Sequence, residues 1–451
     1  MLQLRHSIFW NNKMANFNIK KLSKLFHDCE GSITLLGLYM FVAGTMIGAF
    51  ALDYTYLQAT KTQLQVAADQ ASHAALYNRR TMSETDAKKA AIEIIQPLLP
   101  REVYGEIITD SSIEFGSYDR DSLKFTFKAG SKEAVRVTAS MLAEKSNAAP
   151  SYLFHMLGID HFDIRARATF MTYKPGCLRQ GLMADGIVDL QSNNSFTNGF
   201  CVHSNTHISI NQNNYFESGT VVSMPHISDL DMPRSGFDKN DGLQEALRDQ
   251  SMHLNIMKRL EDIESGLKSR SGEYVPTYID KSLDITYINA STVTQDMLTP
   301  YSIHRIDCKG SKLTIDGSGT AIQDIVIITT CPISFTNGSK IADAVIFTTD
   351  TTARSITAPQ GLQIGRNDEC AEGGGAQLVT MGGVSVASKL SMFGGQILAK
   401  KDVDFAANAD GLQGASIVTS GEINGTSNSN MGFCLSGMEQ NFETDYYRMA
   451  E

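Results

Sequence analysis

Positive charge is scarce in this sequence: 39 Lys and Arg residues stand against 49 Asp and Glu, so the net charge of the 451 residues is −10. Because a basic face is the footprint of nucleic-acid binding, no nucleic-acid partner is expected. No two of the seven cysteines have CxxC or CxxxC spacing, which disfavours a zinc site and thioredoxin-like chemistry. Neither a nucleophile elbow nor an HExxH motif occurs, so we predict no catalytic residue, no metal ligand and no cofactor.

The composition, with 42% hydrophobic and 20% charged residues, is that of an ordinary globular chain and excludes a multi-span membrane protein. One stretch stands out, the twenty consecutive uncharged residues 33–52. As a helix it would be about 30 Å long, the thickness of a bilayer core, whereas a secretory signal has an apolar core of roughly 7–15 residues. About thirty residues precede it, which predicts an uncleaved anchor. The alternative is cleavage after Ala51, at the sequence Ala49-Phe50-Ala51.

The charges that flank the anchor predict its orientation. Lys20, Lys21 and Lys24 precede it, whereas Asp53 follows it and the next basic residue is Lys61. Positive residues stay in the cytoplasm, so the chain from Asp53 onward is expected across the membrane. Six of the seven cysteines lie in that exported part, and an even number there indicates three disulfides. The simplest of the fifteen connectivities is sequential: Cys177–Cys201, Cys308–Cys331 and Cys370–Cys434.

A pattern of small residues follows the anchor. Apolar and small residues recur there at helical spacing, so the helix is expected to continue out of the bilayer. The Gly-Ser entry, the twenty-residue span and the pattern L-Q-x-A-A-D-x-A-x-x-A-A together resemble the N-terminal region of the TadE/TadG-like proteins of tight-adherence (Flp) pilus assembly. The residues that carry this resemblance are Gly31, Ser32, Asp53, Leu64, Gln65, Ala67, Ala68, Asp69, Ala71, Ala74 and Ala75.

The resemblance favours a TadG-like member, which stays anchored, over a pilin-like one, which a prepilin peptidase cuts. That cut needs a glutamate five residues after the glycine, but Leu36 holds this position and Glu30 precedes Gly31. The resemblance implies a single-pass protein of the bacterial inner membrane, with a cytoplasmic N-terminus and its bulk in the periplasm. It implies a structural component of pilus assembly or secretion machinery and not an enzyme. The implied partners are the inner membrane and other pilus-assembly membrane proteins, with homo-oligomerisation left open.

Gln65 and Asp69 are the candidate residues for contact with a partner. They lie four positions apart, and therefore on one face of a helix. In that position they could contact a partner helix or cap a neighbouring turn, or Asp69 could simply be solvated. The sequence does not separate these roles.

The pattern of apolar residues and turn residues changes at Cys177. Before it, a helical segment at 84–96 and short alternating stretches predict a small α+β domain, and the closing R-A-x-A of Arg165, Ala166 and Ala168 is also similar to TadG-like proteins. After it, apolar runs of three to five residues between Gly, Asn and Asp turns predict an all-β region. We expect a right-handed parallel β-helix, or solenoid, with a Greek-key β-sandwich as the alternative.

The predicted organisation has six parts. They are a cytoplasmic tail at 1–30, a transmembrane anchor at 31–53, an amphipathic helix at 54–80, the α+β domain at 81–175, the β-rich domain at 176–440 with a helical insertion near 241–267, and a C-terminal tail at 441–451. The insertion has an apolar stripe that is expected to pack on the sheet rather than to bind a partner. The stripe consists of Leu243, Leu247, Leu254, Met257, Leu260, Ile263 and Leu267.

Two acidic motifs have a structural and a chemical interpretation. The sequence 316–320, DGSGT, matches the adhesion motif D-x-S-x-[ST] of von Willebrand A domains, but too few residues follow for its helix, so a turn is expected. Asp402 and Asp404 share a strand face, as carboxylates of solenoid hydrolases and lyases do, yet Lys400 and Lys401 beside them favour a solvated face.

His155 and His161 are expected to be surface or half-buried residues, because no further ligands cluster near them in the sequence. The competing function is an anchored β-solenoid adhesin or a polysaccharide-acting enzyme. For the enzyme, four carboxylates would have to converge in one groove. They are Asp402, Asp404, Asp410 and Glu422.

Overall fold

The computed structural model describes residues 32–450, apart from residues 271, 426 and 435. The chain divides into two compact units. The first unit contains the residues up to Thr172 and those from Tyr447 onward, and the second contains Tyr173–Tyr446. The predicted cytoplasmic tail at 1–30 and Gly31 lie outside the described residues, and so do the lysines that predict the orientation.

The first unit is organised around α1, one continuous helix over Ser32–Arg79. It joins the predicted anchor to the predicted amphipathic helix without a break, and at 1.5 Å per residue it is about 70 Å long. No proline interrupts it. The side chains of residues 33–48 are exposed on all sides, whereas from Leu64 onward one face is buried. The helix therefore has two parts with different surroundings.

The rest of the first unit contains a five-stranded sheet and two further α-helices. The helices are α2 (Glu84–Ile95) and α3 (Arg101–Tyr104), and the strands are β1 (Ile113–Asp119), β2 (Lys124–Phe127), β3 (Ala134–Met141), β4 (Ala149–Pro150), β5 (His161–Phe162), β6 (Ile164–Tyr173) and, from the end of the chain, β32 (Tyr446–Met449). The sheet has the order β2-β1-β3-β6-β32, and β4 pairs with β5 separately. Ser83 caps α2 by accepting a hydrogen bond from the Asp86 N–H at 3.2 Å.

Strand β32 lies in the segment 441–451, for which the sequence predicts only a tail. The strand lies beside β6 in the first unit's sheet, and the Ala450 N–H donates to the Thr169 carbonyl at 2.7 Å. Four residues are too few for a strand period to emerge from the sequence, and the pairing partner is far away in the chain. The segment is therefore part of the fold of the first unit.

Small residues allow α1 to lie close to the sheet. Ala67, Ala71 and Ala75 of α1 are buried in the same hydrophobic cluster as Ala166 and Ala168 of β6. Close packing of this kind leaves no room for a larger side chain on either element. The two alanines of the R-A-x-A motif thus belong to the core of the first unit.

The second unit contains, among its described residues, three α-helices and twenty-five strands. The helices are α4 (Gly176–Arg179), α5 (Leu243–Ala246) and α6 (Leu260–Ser269). The first run of strands is β7 (Gly181–Ala184), β8 (Val188–Leu190), β9 (Ser195–Phe196), β10 (Cys201–Ser204), β11 (Ile208–Ile210), β12 (Asn214–Phe216), β13 (Val221–Met224), β14 (Asn240–Asp241) and β15 (Leu247–Asp249). The second run is β16 (Thr286–Asn289), β17 (Thr292–Thr294), β18 (Ser302–Asp307), β19 (Leu313–Asp316), β20 (Ile322–Thr329), β21 (Ile333–Phe335), β22 (Lys340–Thr348), β23 (Ile356–Ala358), β24 (Gln363–Ile364), β25 (Ala376–Thr380), β26 (Val384–Phe393), β27 (Gln396–Ala399), β28 (Val403–Gln413), β29 (Ser416–Thr419), β30 (Ile423–Asn424) and β31 (Asn430–Gly432).

These strands form one large parallel sheet in which the distance between partners along the chain varies: it is 18 residues for Thr286 and His304 and 32 residues for Ala344 and Ala376. Leu182 of β7, Val202 of β10 and Val222 of β13 are successive partners, twenty residues apart. Val188 of β8 and Ile208 of β11 have the same spacing. A Greek-key sandwich is built from antiparallel strands, so that alternative does not describe this sheet.

The order of the strands in this sheet differs from their order in the chain. Ser416 of β29 pairs with Gly181 of β7, and Ile423 of β30 pairs with Val188 of β8. The last strands of the unit therefore join its first strands in the middle of the sheet. One edge is formed by β14 and β15 and the other by β16 and β17, since each of these strands pairs on one side only. The residues 250–285 between β15 and β16 therefore run from one edge to the other.

The predicted helix over 241–267 is broken in the structure into α5, a short 3₁₀ helix at Asn255–Lys258 and α6. Leu247 instead pairs with Val222 in β13, because the strand partner outweighs the helical period of the local sequence. The predicted apolar stripe is buried, but in two places. Leu243 and Leu247 belong to the cluster that contains Leu182 and Val202, whereas Leu254, Met257, Leu260, Ile263 and Leu267 pack against the other face of the sheet, on residues such as Val326, Val345 and Leu398.

Three disulfides join the six cysteines in sequential order, Cys177–Cys201, Cys308–Cys331 and Cys370–Cys434. The first two close loops with sequence separations of 24 and 23 residues, which is about one repeat of the sheet. The third has a separation of 64 residues. A cross-link across the longer loop restricts the unfolded chain more than the other two.

We predict that replacing both Cys370 and Cys434 by serine lowers the free energy of unfolding by up to about 4 kcal/mol, since the unfolded chain regains the freedom of the opened loop. Chemical denaturation of the detergent-solubilised protein measures the change. Cys29→Ser is the control and is expected to leave stability unchanged. If the gel mobility of the wild-type protein is the same with and without reductant, the bridge does not form in the protein.

Candidate functional site on the membrane-proximal helix

The first part of α1 is long and apolar enough to cross a membrane. Large apolar side chains such as Ile33, Phe41 and Ile47 are exposed there. A helix satisfies its own backbone hydrogen bonds, so a bilayer core of about 30 Å accommodates twenty such residues without cost to the main chain. This stretch is the candidate membrane contact of the protein.

Asp53, the first charged residue after this stretch, is fully buried. Its carboxylate accepts hydrogen bonds from three successive backbone N–H groups, those of Tyr152 at 2.8 Å, Leu153 at 3.0 Å and Phe154 at 2.7 Å. Charge-assisted bonds of this kind offset the cost of removing a carboxylate from water. The sequence marks Asp53 as the flank of the anchor and as part of the family resemblance. Its partners lie a hundred residues away, and no local signal indicates them.

Gln65 and Asp69 lie on one face of α1, as their spacing predicts. The side-chain amide of Gln65 donates to the Asp69 carboxylate at 2.8 Å and to the backbone carbonyl of Arg167 in β6 at 3.0 Å. Both side chains are half-buried. The pair thus joins the helix to its own sheet, and contact with a partner protein remains a prediction for these residues.

Two of the four carboxylates that the enzyme alternative requires accept hydrogen bonds from neighbouring groups. Asp402 accepts a hydrogen bond from the Glu422 N–H at 2.9 Å, and Asp404 accepts one from the Asn424 side chain at 2.7 Å. The side chain of Asp410 lies outside the described residues. Asp402, Asp404 and Glu422 are exposed on adjacent strands and turns.

A separate cleft of about 630 Å³ lies between α6 and the ends of neighbouring strands, and it is lined by charges of both signs. Its lining residues are Glu261, Glu264, Thr349, Thr351, Met381, Lys400 and Lys401. Asp402 and Asp404 are not among these residues. The two lysines beside the carboxylate pair therefore face a cavity that the carboxylates do not share.

Asp316 forms the turn that its sequence predicts. Its carboxylate accepts hydrogen bonds from the Ser318 hydroxyl at 2.6 Å, the Ser318 N–H at 3.1 Å and the Thr336 hydroxyl at 2.8 Å, and these bonds lower the pKa of Asp316. Strand β20 begins at Ile322, which leaves no space for the helix of an adhesion motif. Within the described part of the chain, no group of three or more His, Cys, Asp and Glu side chains is arranged to hold a metal ion.

His155 is exposed and contacts Asp160 at 2.5 Å, and His161 is exposed in the short strand β5.

His203, in contrast, is fully buried in β10. Its ring nitrogens contact the Ser223 hydroxyl at 2.8 Å and the Asn205 side chain at 3.1 Å. Asn205 in turn donates to the carboxylate of Asp185 at 2.8 Å and accepts from the backbone N–H of residue 252 at 3.0 Å. This network fastens the segment 250–285 to the sheet.

We predict that the second unit loses stability as the pH falls below about 6.5. Burial lowers the pKa of His203, so the unfolded chain takes up the proton first and protonation favours unfolding. The contribution of one histidine has a slope of at most about 1.4 kcal/mol per pH unit. Denaturation at several pH values should show a shallower slope for His203→Gln, while His226→Gln, at an exposed position, keeps the wild-type slope. Equal slopes for the two variants would contradict this origin.

Two protein-family models match the chain. The model Tad, described as TadE/G-like Flp pilus assembly, matches residues 31–80, which confirms the resemblance drawn from the anchor and the alanine pattern. The model DUF7867, described as a domain of unknown function, matches residues 181–435 in the second unit. No curated protein and no solved structure matches the chain. Because the second match covers more than half of the 451 residues, the chain belongs to the DUF7867 family, and its first helix carries the TadE/G-like region.

Proposed function

We propose that the protein is a membrane-anchored structural component of the tight-adherence (Flp-type) pilus assembly or secretion machinery. The observation that carries this proposal is the continuity of α1 across the Tad match. One uninterrupted helix contains an apolar stretch long enough to span a bilayer and an alanine-rich stretch packed on a sheet. Such a helix can connect membrane partners to a folded unit outside the membrane.

The protein is proposed to be the anchored, TadG-like type. Leu36 stands where a prepilin peptidase would need glutamate, and more than 350 residues follow α1. The proposed topology is a single pass through the bacterial inner membrane, with a cytoplasmic N-terminus and the bulk in the periplasm. Lys20, Lys21 and Lys24 before the span and Asp53 after it support this topology. Three disulfides suit an oxidising compartment.

The second unit is proposed to be a right-handed β-solenoid. Support comes from the parallel partners at twenty-residue intervals, which are the pattern expected when successive coils stack. Crossovers between parallel strands are right-handed in the great majority of cases, which supports a right-handed sense for the solenoid. The proposed role of this unit is that of a scaffold, not an enzyme. It would bring other pilus-assembly membrane proteins together, or further copies of the same chain.

In-frame deletion of the gene in the native host, with a complemented control, tests the function. Loss of surface fibres while the pilin subunit is still made is the expected result. Surface fibres are counted by electron microscopy, and pilin is measured by immunoblotting. Normal fibre numbers with altered attachment or an altered polysaccharide profile would overturn the assembly role. They would favour the alternative, an anchored solenoid adhesin or polysaccharide-acting enzyme.

At residue level, Asp69→Ala is expected to reduce fibre number by about tenfold at unchanged protein level if this face of α1 binds a partner, since losing one central contact costs at least about 1.4 kcal/mol. Gln70→Ala, at an exposed neighbouring position, is the matched control and should assemble normally. Immunoblotting gives the protein level. A lower level of the Asp69 variant would instead assign Asp69 to the packing of its own unit, where it accepts the bond from Gln65.

A further inference from the structure

A loop of the first unit, residues 151–159, exposes an unusual share of apolar surface. Tyr152, Met156, Leu157 and Ile159 have exposed fractions of 61%, 82%, 70% and 43%. The loop is nonetheless well structured. Residues Phe154–Leu157 form a 3₁₀ helix, and the Ser151 N–H donates to the Asp160 carbonyl at 3.1 Å, which closes the loop at its base. Its apolar side chains are therefore held outward by a fixed backbone.

The loop is attached to α1 at the end of the apolar stretch. Asp53 accepts the hydrogen bonds of the three N–H groups at 152–154. Aromatic contacts flank this clamp: the rings of Phe50 and Phe154 lie 5.9 Å apart, and those of Tyr56 and Tyr152 lie 5.0 Å apart. The position of the loop along the helix is thus fixed on both sides of Asp53.

These contacts give the level of the loop relative to a bilayer. If residues 33–52 fill the hydrocarbon core, Phe50 lies inside its edge and Tyr56 lies among the headgroups, roughly 9 Å further along the helix. The loop descends beside the helix over this distance, from Tyr152 next to Tyr56 to Phe154 next to Phe50. Met156 and Leu157 follow directly. The exposed apolar side chains consequently lie where the interface of a membrane would be.

We infer that residues 151–159 form a second membrane contact, which inserts the side chains of Met156 and Leu157 into the interfacial layer of the leaflet that α1 leaves. The inference rests on the membrane span of the proposed function. Lipid is the partner of this loop, because the loop surface is continuous with the membrane span through the ring contact of Phe50 and Phe154. Tyrosine at position 152 suits the same layer, where aromatic side chains with a polar end are enriched. Exposed apolar side chains bind such a layer in proportion to the area they bury.

Site-specific fluorescence of the full chain in lipid nanodiscs of phosphatidylethanolamine and phosphatidylglycerol tests the inference. Cys29→Ser removes the thiol that has no disulfide partner, and Leu157→Cys carries an environment-sensitive fluorophore. Leu123→Cys is the matched control, because Leu123 has the same exposed fraction of 70%. It lies in the turn between β1 and β2, at the end of the sheet opposite Ile164 and the loop. A third label, at Phe41→Cys, reports on the span itself.

The label at position 157 is expected to have a blue-shifted emission and to be quenched by lipids with a shallow nitroxide. Its quenching by aqueous iodide should be roughly threefold weaker than at position 123, since an inserted side chain is shielded from water. Equal iodide quenching at the two positions would overturn the inference. Protection from iodide without quenching by nitroxide lipid would also overturn it, because the loop would then contact protein.

The label at position 41 separates the inference from the proposed anchor. Quenching by deep nitroxide lipids at position 41, with no lipid quenching at position 157, would leave the anchor standing and overturn the second contact alone. Absence of lipid quenching at position 41 would overturn the membrane span, and the inference that rests on it would fail as well.

Discussion

A change of surroundings along one helix is the constraint on which the rest of the structure depends. Over residues 33–52, α1 offers only apolar and small side chains, and a bilayer is the solvent that suits them. Beyond that stretch the same helix packs against protein, and Asp53 stands at the change. A buried carboxylate is costly in either medium, and the three N–H groups at 152–154 offset that cost where it arises. The alanines from Ala67 onward then let the helix approach β3 closely.

The second unit obeys a different constraint, which is that most of its strands are too short to be stable as hairpins. Most strands pair with a strand that lies close by in the chain, as β7 does with β10, so their apolar side chains align and form a continuous core. Because β29–β31 join β7–β9 in the middle of the sheet, the chain has to cross between the two edges once. The segment 250–285 makes this crossing and also covers apolar side chains such as Val326 and Leu398, which would otherwise face water. The segment 250–285 therefore both makes the connection that the strand order requires and buries the apolar side chains of that face.

Features that depend on a short-range period could be predicted from the sequence. The span, its continuation as a helix with an alanine face, and the β-rich character of the chain after Cys177 belong to this group, and their positions agree with the structure. Features that depend on partners far away in the chain could not be predicted from the sequence. Strand β32, the hydrogen bonds of Asp53 and the burial of His203 each need a residue at least twenty positions away. The break in the predicted helix over 241–267 has the same cause, since β13 offered Leu247 a better partner than the helix did.

The way the second unit uses its polar side chains bears on the choice between scaffold and enzyme. Asp316 stabilises a turn, Asp402 and Asp404 bind groups on the adjacent turn and strand, and His203 fastens the crossing segment. Catalytic carboxylates act in pairs across a shared cavity, because one must hold a proton that the other does not. Asp402 and Asp404 are instead exposed outside the cleft that Lys400 and Lys401 line. That cleft is lined by the two lysines and by two glutamates of α6, and this separation of the carboxylate pair from the cavity supports the proposed scaffold over the alternative enzyme.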